Sequence, residues 1–436
     1  MSGWGSWLTG SQPADAKPAD GACPKENFFP VTDKYDQTQL LGELAPTDLH
    51  WTCPSGLSTE TSTWYTTLQN GAFFMNQIIY SPVGLFQPQV QMTFRYYDPN
   101  TGENVWKSKN VDSFQVLPNN KHSCKSSAFT IDFKDESNGS QSYNVSATLD
   151  NDVQLMYSMT RPSEAKGWKL GQGPKGGFSY FGENENSPDG YVVHRFWPYT
   201  KTSGMLVING RAMEANGQGM FVQAIQGMRP NLVATRWNFG NFQSKENHGT
   251  SAIVMEFTTT SGYGKVDASS QTRVPQTVTI GSVVCGGKLV SVVGATRASN
   301  ASEVPATRVQ HESCARDELT GYDVPQVMKF VLQGPAVVGV DKPSADTVVQ
   351  ASMEVSLGSP SATKGLIEKV DVLAEIPYMV RKLVNYVAGA KPYIYQTLNP
   401  TQLKLELPES VAQAIGTDSS IEVPGVLFEE HTFISE

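Results

Sequence analysis

Six histidines (His50, His122, His194, His248, His311 and His431) are the side chains of this sequence best suited to acid–base or metal chemistry near neutral pH. None stands in an HExxH motif, and none is paired with cysteine at zinc-site spacing. Five cysteines (Cys23, Cys53, Cys124, Cys285 and Cys314) are scattered, with no CxxC pair among them. That argues against a disulfide framework or a zinc site and for a reducing compartment. There is no GxSxG elbow and no Walker loop, so neither a hydrolase nucleophile nor a phosphate cradle is legible. The run Gly171-Gln-Gly-Pro-Lys-Gly176 matches GxGxxG in letters only. Pro174 has no amide hydrogen for a pyrophosphate, and the FSYFGENENSPDG stretch that follows is no helix start. It reads as a loop. No catalytic residue, cofactor or metal is expected.

Composition narrows the classes further. The net charge of −9 and a charged fraction of only 17% leave no clustered Lys and Arg for phosphates, so nucleic acid is excluded as a partner. Binding to anionic membranes by bulk charge is disfavoured for the same reason. The longest apolar runs fall short of a bilayer span. The opening MSGWGSWLTG lacks the basic and long apolar regions of a signal peptide, and glycosylation triplets at Asn138, Asn144 and Asn300 arise by chance in a Ser-rich chain. A cytosolic protein is expected.

What the sequence does hold is a stripe of Met and aromatic residues: Met220, Phe221, Met228, Trp237, Phe239, Phe242, Met255 and Phe257. Such side chains adapt to flexible acyl chains, so the stripe could line an apolar ligand. It could equally be plain β-barrel core, with one strand face filling a barrel and the other packing on a neighbouring domain. At the N-terminus Trp4, Trp7 and Leu8 sit at i, i+3 and i+4, a short apolar edge suited to a membrane interface. Gly3, Gly5 and Gly10 weaken any helix there, and no Lys or Arg precedes Lys17.

The elements that must position these residues are mostly strands. Ile253, Met255 and Phe257 alternate with Ala252, Val254 and Glu256, the period of two that marks β-structure. Residues 87–98 put Val90, Met92, Phe94 and Tyr96 on one face and Gln89, Gln91, Thr93 and Arg95 on the other. The run Asp98-Pro-Asn-Thr-Gly102 closes the strand with turn residues. Further strands are expected over 73–81, 127–133, 143–149, 154–160 and 401–407. Regular spacing with polar turns suggests meanders that close into barrels. Length argues for two domains, 45–212 and 218–436, meeting near residues 212–218. Residues 1–44 read as a flexible tail, with a Pro/Ala/Asp-rich tether over 10–26 and order beginning near Leu44. Residues 297–323 read as a polar surface insertion. One amphipathic helix is expected where Ile376, Met379, Val380, Leu383, Val384 and Val387 recur on one face, with Pro377 in its first turn and Gly389 at its end.

Several ordered blocks together resemble the fungal survival-factor family. They are HRFWP (194–198), GRAM (210–213), the 219–264 stretch, AKPYIYQT (390–397) and the ending EEHTFIS. The resemblance covers roughly residues 45–436. It departs at Tyr199, where the family block implies a basic residue, and in the weak N-terminal helix. The resemblance implies an all-β protein of two packed lipocalin-like barrels with a C-terminal helix. It further implies a cytoplasmic carrier of ceramide or a related sphingolipid between endoplasmic reticulum and Golgi. Such a carrier would touch those membranes peripherally and support survival under oxidative stress, with a nuclear pool left open. His194, Arg211 and Trp237 lie in family blocks and are expected at the ligand's polar end, with Met220, Met228, Met255 and Phe257 along its chains. The competing reading is a cyclase or isomerase, since related double barrels shape polyenes for pericyclic chemistry that needs a snug pocket and no motif. A third is a stress-responsive scaffold without ligand.

Overall fold

A strand that is apolar on one face can bury that face only by pairing into a sheet that curls round its own core. The chain does this twice. The computed structural model describes residues 24–82, 88–372 and 391–435. In the first sheet the main path runs through Glu103–Asn110, Gln89–Asp98, Phe73–Ser81, Thr59–Leu68, Gly217–Gln226, Gly190–Ile208, Val153–Arg161, Gln141–Thr148, Phe129–Asp135, Asn120–Lys125 and Gln115–Leu117. In the second it runs through Lys288–Ala298, Gln276–Cys285, Thr250–Thr259, Ala234–Ser244, Ser420–Phe433, Tyr393–Glu406, Val348–Ser356, Val327–Pro335 and Arg308–Glu312. An isolated bridge between Ser291 and Ala336 draws the two ends of the second sheet together. All pairing along both paths is antiparallel. This is the all-β, two-barrel architecture expected.

Each sheet has an interior core, and a third core lies between them. Val90, Met92, Phe94 and Tyr96 all enter the first interior, as their alternation requires. On the opposite face of that strand Thr93 and Arg95 are buried too. The cause is the second sheet: Arg95 pairs there with Glu368, and the Asn104 amide donates to the Ile367 carbonyl at 2.9 Å. The Ile253–Phe257 strand divides in the same way. Ala252 and Val254 face the second interior, while Ile253 and Phe257 join the core between the sheets.

Three expectations change. The first sheet keeps Gly217–Gln226, which pairs on one side with Thr59–Leu68 and on the other with Gly190–Ile208. The chain therefore changes sheet over residues 227–233, later than the expected 212–218. Order does not wait for Leu44: Phe28, Val31 and Leu40 are buried between the sheets, and the Asn27 side chain bonds Gly262 and Gly264. Isolated apolar residues in a polar run carry no strand period, so this packing is invisible in one dimension. The polar stretch 297–323 is not all surface, because Arg308–Glu312 pairs with Val327–Pro335 as a strand of the second sheet. The Gly171–Gly176 run is a loop as read, followed by the strand Phe178–Phe181 rather than a helix. The expected 376–387 helix and the apolar edge at Trp4, Trp7 and Leu8 lie outside the described residues.

Candidate functional site

Five of the seven residues singled out for ligand contact meet in the core between the sheets. Met220, Met228 and Phe257 are buried there, and Trp237 and Met255 pack against them. The Trp237 ring lies 4.9 Å from that of Phe257 and 6.0 Å from that of His194. Burial pushes His194 down to about 4, so at neutral pH it is an uncharged imidazole with one donor and one acceptor. Arg211 is elsewhere. It sits in the exposed Arg211–Glu214 strand, and its guanidinium meets Glu103 at 2.6 Å. That pair is at the surface, with the Arg211 side chain 63% exposed, outside the core that holds Trp237. Tyr199, in place of the basic residue that the resemblance implies, is buried against Gly249, where a Cβ would come within 2.5 Å of its hydroxyl.

The seam holding these residues is tightly filled. Phe73 of the first sheet and Phe428 of the second stack at 4.4 Å, with Tyr65 and Phe239 beside them. An acidic group also belongs to it, close to Arg95. Burial pushes Glu430 up to about 7; the adjacent Glu429 adds to the rise, while a hydrogen bond from Gln396 at 2.6 Å and the charge of Arg95 oppose it. A carboxyl raised in the folded state binds more protons than it does unfolded between about pH 4.5 and 7, so stability falls as pH rises through that window. Glu430→Gln should therefore gain about 1–3 kcal/mol at pH 8 and nothing below pH 4.5. Urea unfolding across pH 4–8 measures it. A flat difference between the two proteins would contradict this origin.

Sequence reasoning missed a second, polar centre inside the second sheet. Glu256 is buried and accepts from Thr279 Oγ1 at 2.6 Å, Arg297 Nη1 at 2.9 Å, the Val309 amide at 3.0 Å and Asn238 Nδ2 at 3.3 Å. His311 Nε2 pairs with Asn238 Oδ1 at 2.8 Å, and burial holds this imidazole well below its usual range. His431 Nδ1 faces Glu429 Oε2 at 3.1 Å, and Thr397 donates to the other carboxylate oxygen at 2.7 Å. The signal was present in the sequence. Glu256 interrupts an apolar run in the inward register, and Glu429 and His431 stand in the EEHTFIS block.

These carboxylates are saturated by donors of the protein itself, which suits a fixed internal network. Among the described residues, no group of three or more His, Cys, Asp or Glu is placed to hold a metal ion. Thiol chemistry is not favoured either: burial raises the Cys53 thiol to about 12 and also lifts those of Cys124, Cys285 and Cys314.

The interior of the first sheet differs again. It is walled by rings: Trp64, Tyr143, Trp197 and Phe221 lie at centroid spacings of 4.9–5.4 Å. Buried donors stand among them.

The model of the Svf1 family matches residues 5–435. The chain is 34% identical to a protein of Yarrowia lipolytica named ceramide-binding protein SVF1, covering 99% of this chain and 98% of that one. It is 30% identical to the protein of the same name in Candida albicans, with 99% of each chain covered. Among solved structures, CghA with Sch210972 has a TM-score of 0.48 at 12% identity, covering 94% of this chain and 99% of that one. Kievitone hydratase from Nectria haematococca has a TM-score of 0.44 at 12% identity, with the same coverage.

Proposed function

Because the chain belongs to the Svf1 family, we propose that it binds ceramide and carries it between membranes without catalysing a reaction. The observation that carries this reading is full-length similarity to proteins named for ceramide binding. The fold supplies the physical means. A ceramide exposes tens of methylenes, and at ~0.8 kcal/mol per buried CH₂ its chains need an apolar enclosure to cross water. Two apolar cores are candidates for that enclosure, the seam around Trp237 and Phe257 and the ring-walled interior of the first sheet. The second interior is filled at one end by the Glu256 and Glu429 networks.

We further propose cytoplasmic exchange between endoplasmic reticulum and Golgi membranes, with survival under oxidative stress as its consequence. Peripheral contact runs through Trp4, Trp7 and Leu8. Large apolar side chains contribute about 1.5–3 kcal/mol each when buried, so this contact is weak and reversible, as a shuttle requires. The test is transfer of labelled ceramide from donor to acceptor vesicles without ATP. Transfer should exceed the protein-free rate, and Trp4→Ala with Trp7→Ala should lower vesicle binding with little dependence on salt. Transfer no faster than the blank would end the carrier reading; strong salt sensitivity would end the apolar account of the contact.

A further inference from the structure

The first interior contains a rung of side chains whose hydrogen-bonding capacity is one-sided. Trp197, Phe221, Trp64, Asn76 and Phe94 are successive cross-strand partners on five neighbouring strands. Trp64, Trp197, Phe221 and Phe94 belong to the first interior core, and Asn76, in register with them, points the same way. All five are at most 1% exposed. The Tyr157 hydroxyl donates to Asn76 Oδ1, which fixes the amide and turns its NH₂ away from that bond. Trp64 Nε1, Trp197 Nε1 and Asn76 Nδ2 then have no hydrogen-bond partner among the described residues. Two residues before Trp197 and in the same inward register, Arg195 Nε lacks a hydrogen bond too; the Asp48 Oδ1 oxygen lies 3.9 Å away.

Indole and amide N–H groups can only donate, and buried donors are ordinarily satisfied. Three such donors on one rung, within aromatic walls and beyond the reach of bulk water, define an acceptor-shaped need. We infer that this rung is the seat for the polar end of the cargo: the carbonyl and hydroxyl oxygens of an otherwise apolar ligand, shared among Trp64, Trp197 and Asn76. An amide lipid has the right chemistry, since its carbonyl accepts two hydrogen bonds and its chains match the rings that surround the rung. A free fatty acid fits less well, because its carboxylate would be desolvated among donors that carry no charge, while the nearby Arg161 guanidinium is already engaged by Gln141 and backbone carbonyls. This assignment rests on the carrier reading and moves the ligand's head from His194 and Trp237, in the seam, to the other side of the Gly190–Ile208 sheet wall.

The test compares three probes on wild-type protein and on variants that keep ring or volume but delete donors. Trp64→Phe with Trp197→Phe removes both indole donors; Asn76→Leu with Tyr157→Phe removes the amide together with the hydroxyl that fixes it. The probes are ceramide, oleamide and a long-chain alkane without oxygen. Each donor-deleting variant should lose tenfold or more in affinity for ceramide and oleamide and keep its affinity for the alkane, with circular dichroism unchanged. The idea is overturned if well-folded variants bind ceramide as wild type does, or if amide lipids and alkane are lost in parallel. It is also overturned if Trp237→Phe, and not the rung variants, carries the loss. Wild-type protein that takes up neither ceramide nor oleamide overturns the carrier reading and the seat together.

Discussion

Glu256→Ala should destabilise the protein by about 3–5 kcal/mol, among the largest effects of any single substitution away from the ring cores. The carboxylate is 1% exposed and answers four donors at once, one of them the Arg297 guanidinium. Removing it leaves a largely buried cation unpaired and orphans the Val309 amide that ties the 308–312 strand into the sheet. Arg236, whose guanidinium burial already disfavours, loses the carboxylate that opposes the effect. Glu256→Gln keeps an acceptor and two donors in place of the charge, so it should cost less. Denaturant unfolding measures both. Arg211→Met is the contrast: that exposed pair with Glu103 should contribute below about 1 kcal/mol, and its loss should leave ceramide binding intact. If Glu256→Ala costs no more than Arg211→Met, the polar centre does not hold the second sheet together.

Phe428→Ala should cost about 3–5 kcal/mol and do so for the whole molecule rather than for one sheet. Phe428 comes from the second sheet, yet its ring stacks on Phe73 of the first at 4.4 Å and lies 5.7 Å from Tyr65. The seam also takes up Phe28 and Leu40 from the N-terminal segment, so three parts of the chain share one core. A protein built this way should unfold in a single transition, and the variant should shift that transition without splitting it. Calorimetry with tryptophan fluorescence as a second probe measures the outcome. Two separate transitions in the wild-type protein would show that the sheets are stable apart and that the seam is a docking contact.

Strand periodicity was readable wherever one face alone determines the pattern. The 73–81 strand stands at the residues expected, and the 89–98 strand shows the expected inward face. The reading weakened where both faces are buried. In Thr250–Thr259 the odd residues serve the seam and the even ones the second interior, and a run apolar on both sides conceals which side meets a ligand. Arg211 shows the opposite failure. A matching family block identified the residue type, but only the fold shows that its partner is Glu103, 108 positions earlier, at the surface.

By itself the sequence determined the all-β class, the doubling of the architecture, the family and the absence of a recognisable catalytic motif. These follow from period, length and ordered blocks, which are local or additive properties of the chain. Only the tertiary structure decided where the sheets divide, that Phe28, Val31 and Leu40 are part of the core, and which polar groups are satisfied. Glu256 and the Trp64–Asn76–Trp197 rung look alike in one dimension, as polar atoms set within apolar strands. They differ because hydrogen-bond satisfaction is a property of cross-strand neighbours. Glu256 finds Arg297 and Thr279 across the second sheet, while the rung places donor beside donor and its Asn76 Oδ1 acceptor is already taken by Tyr157.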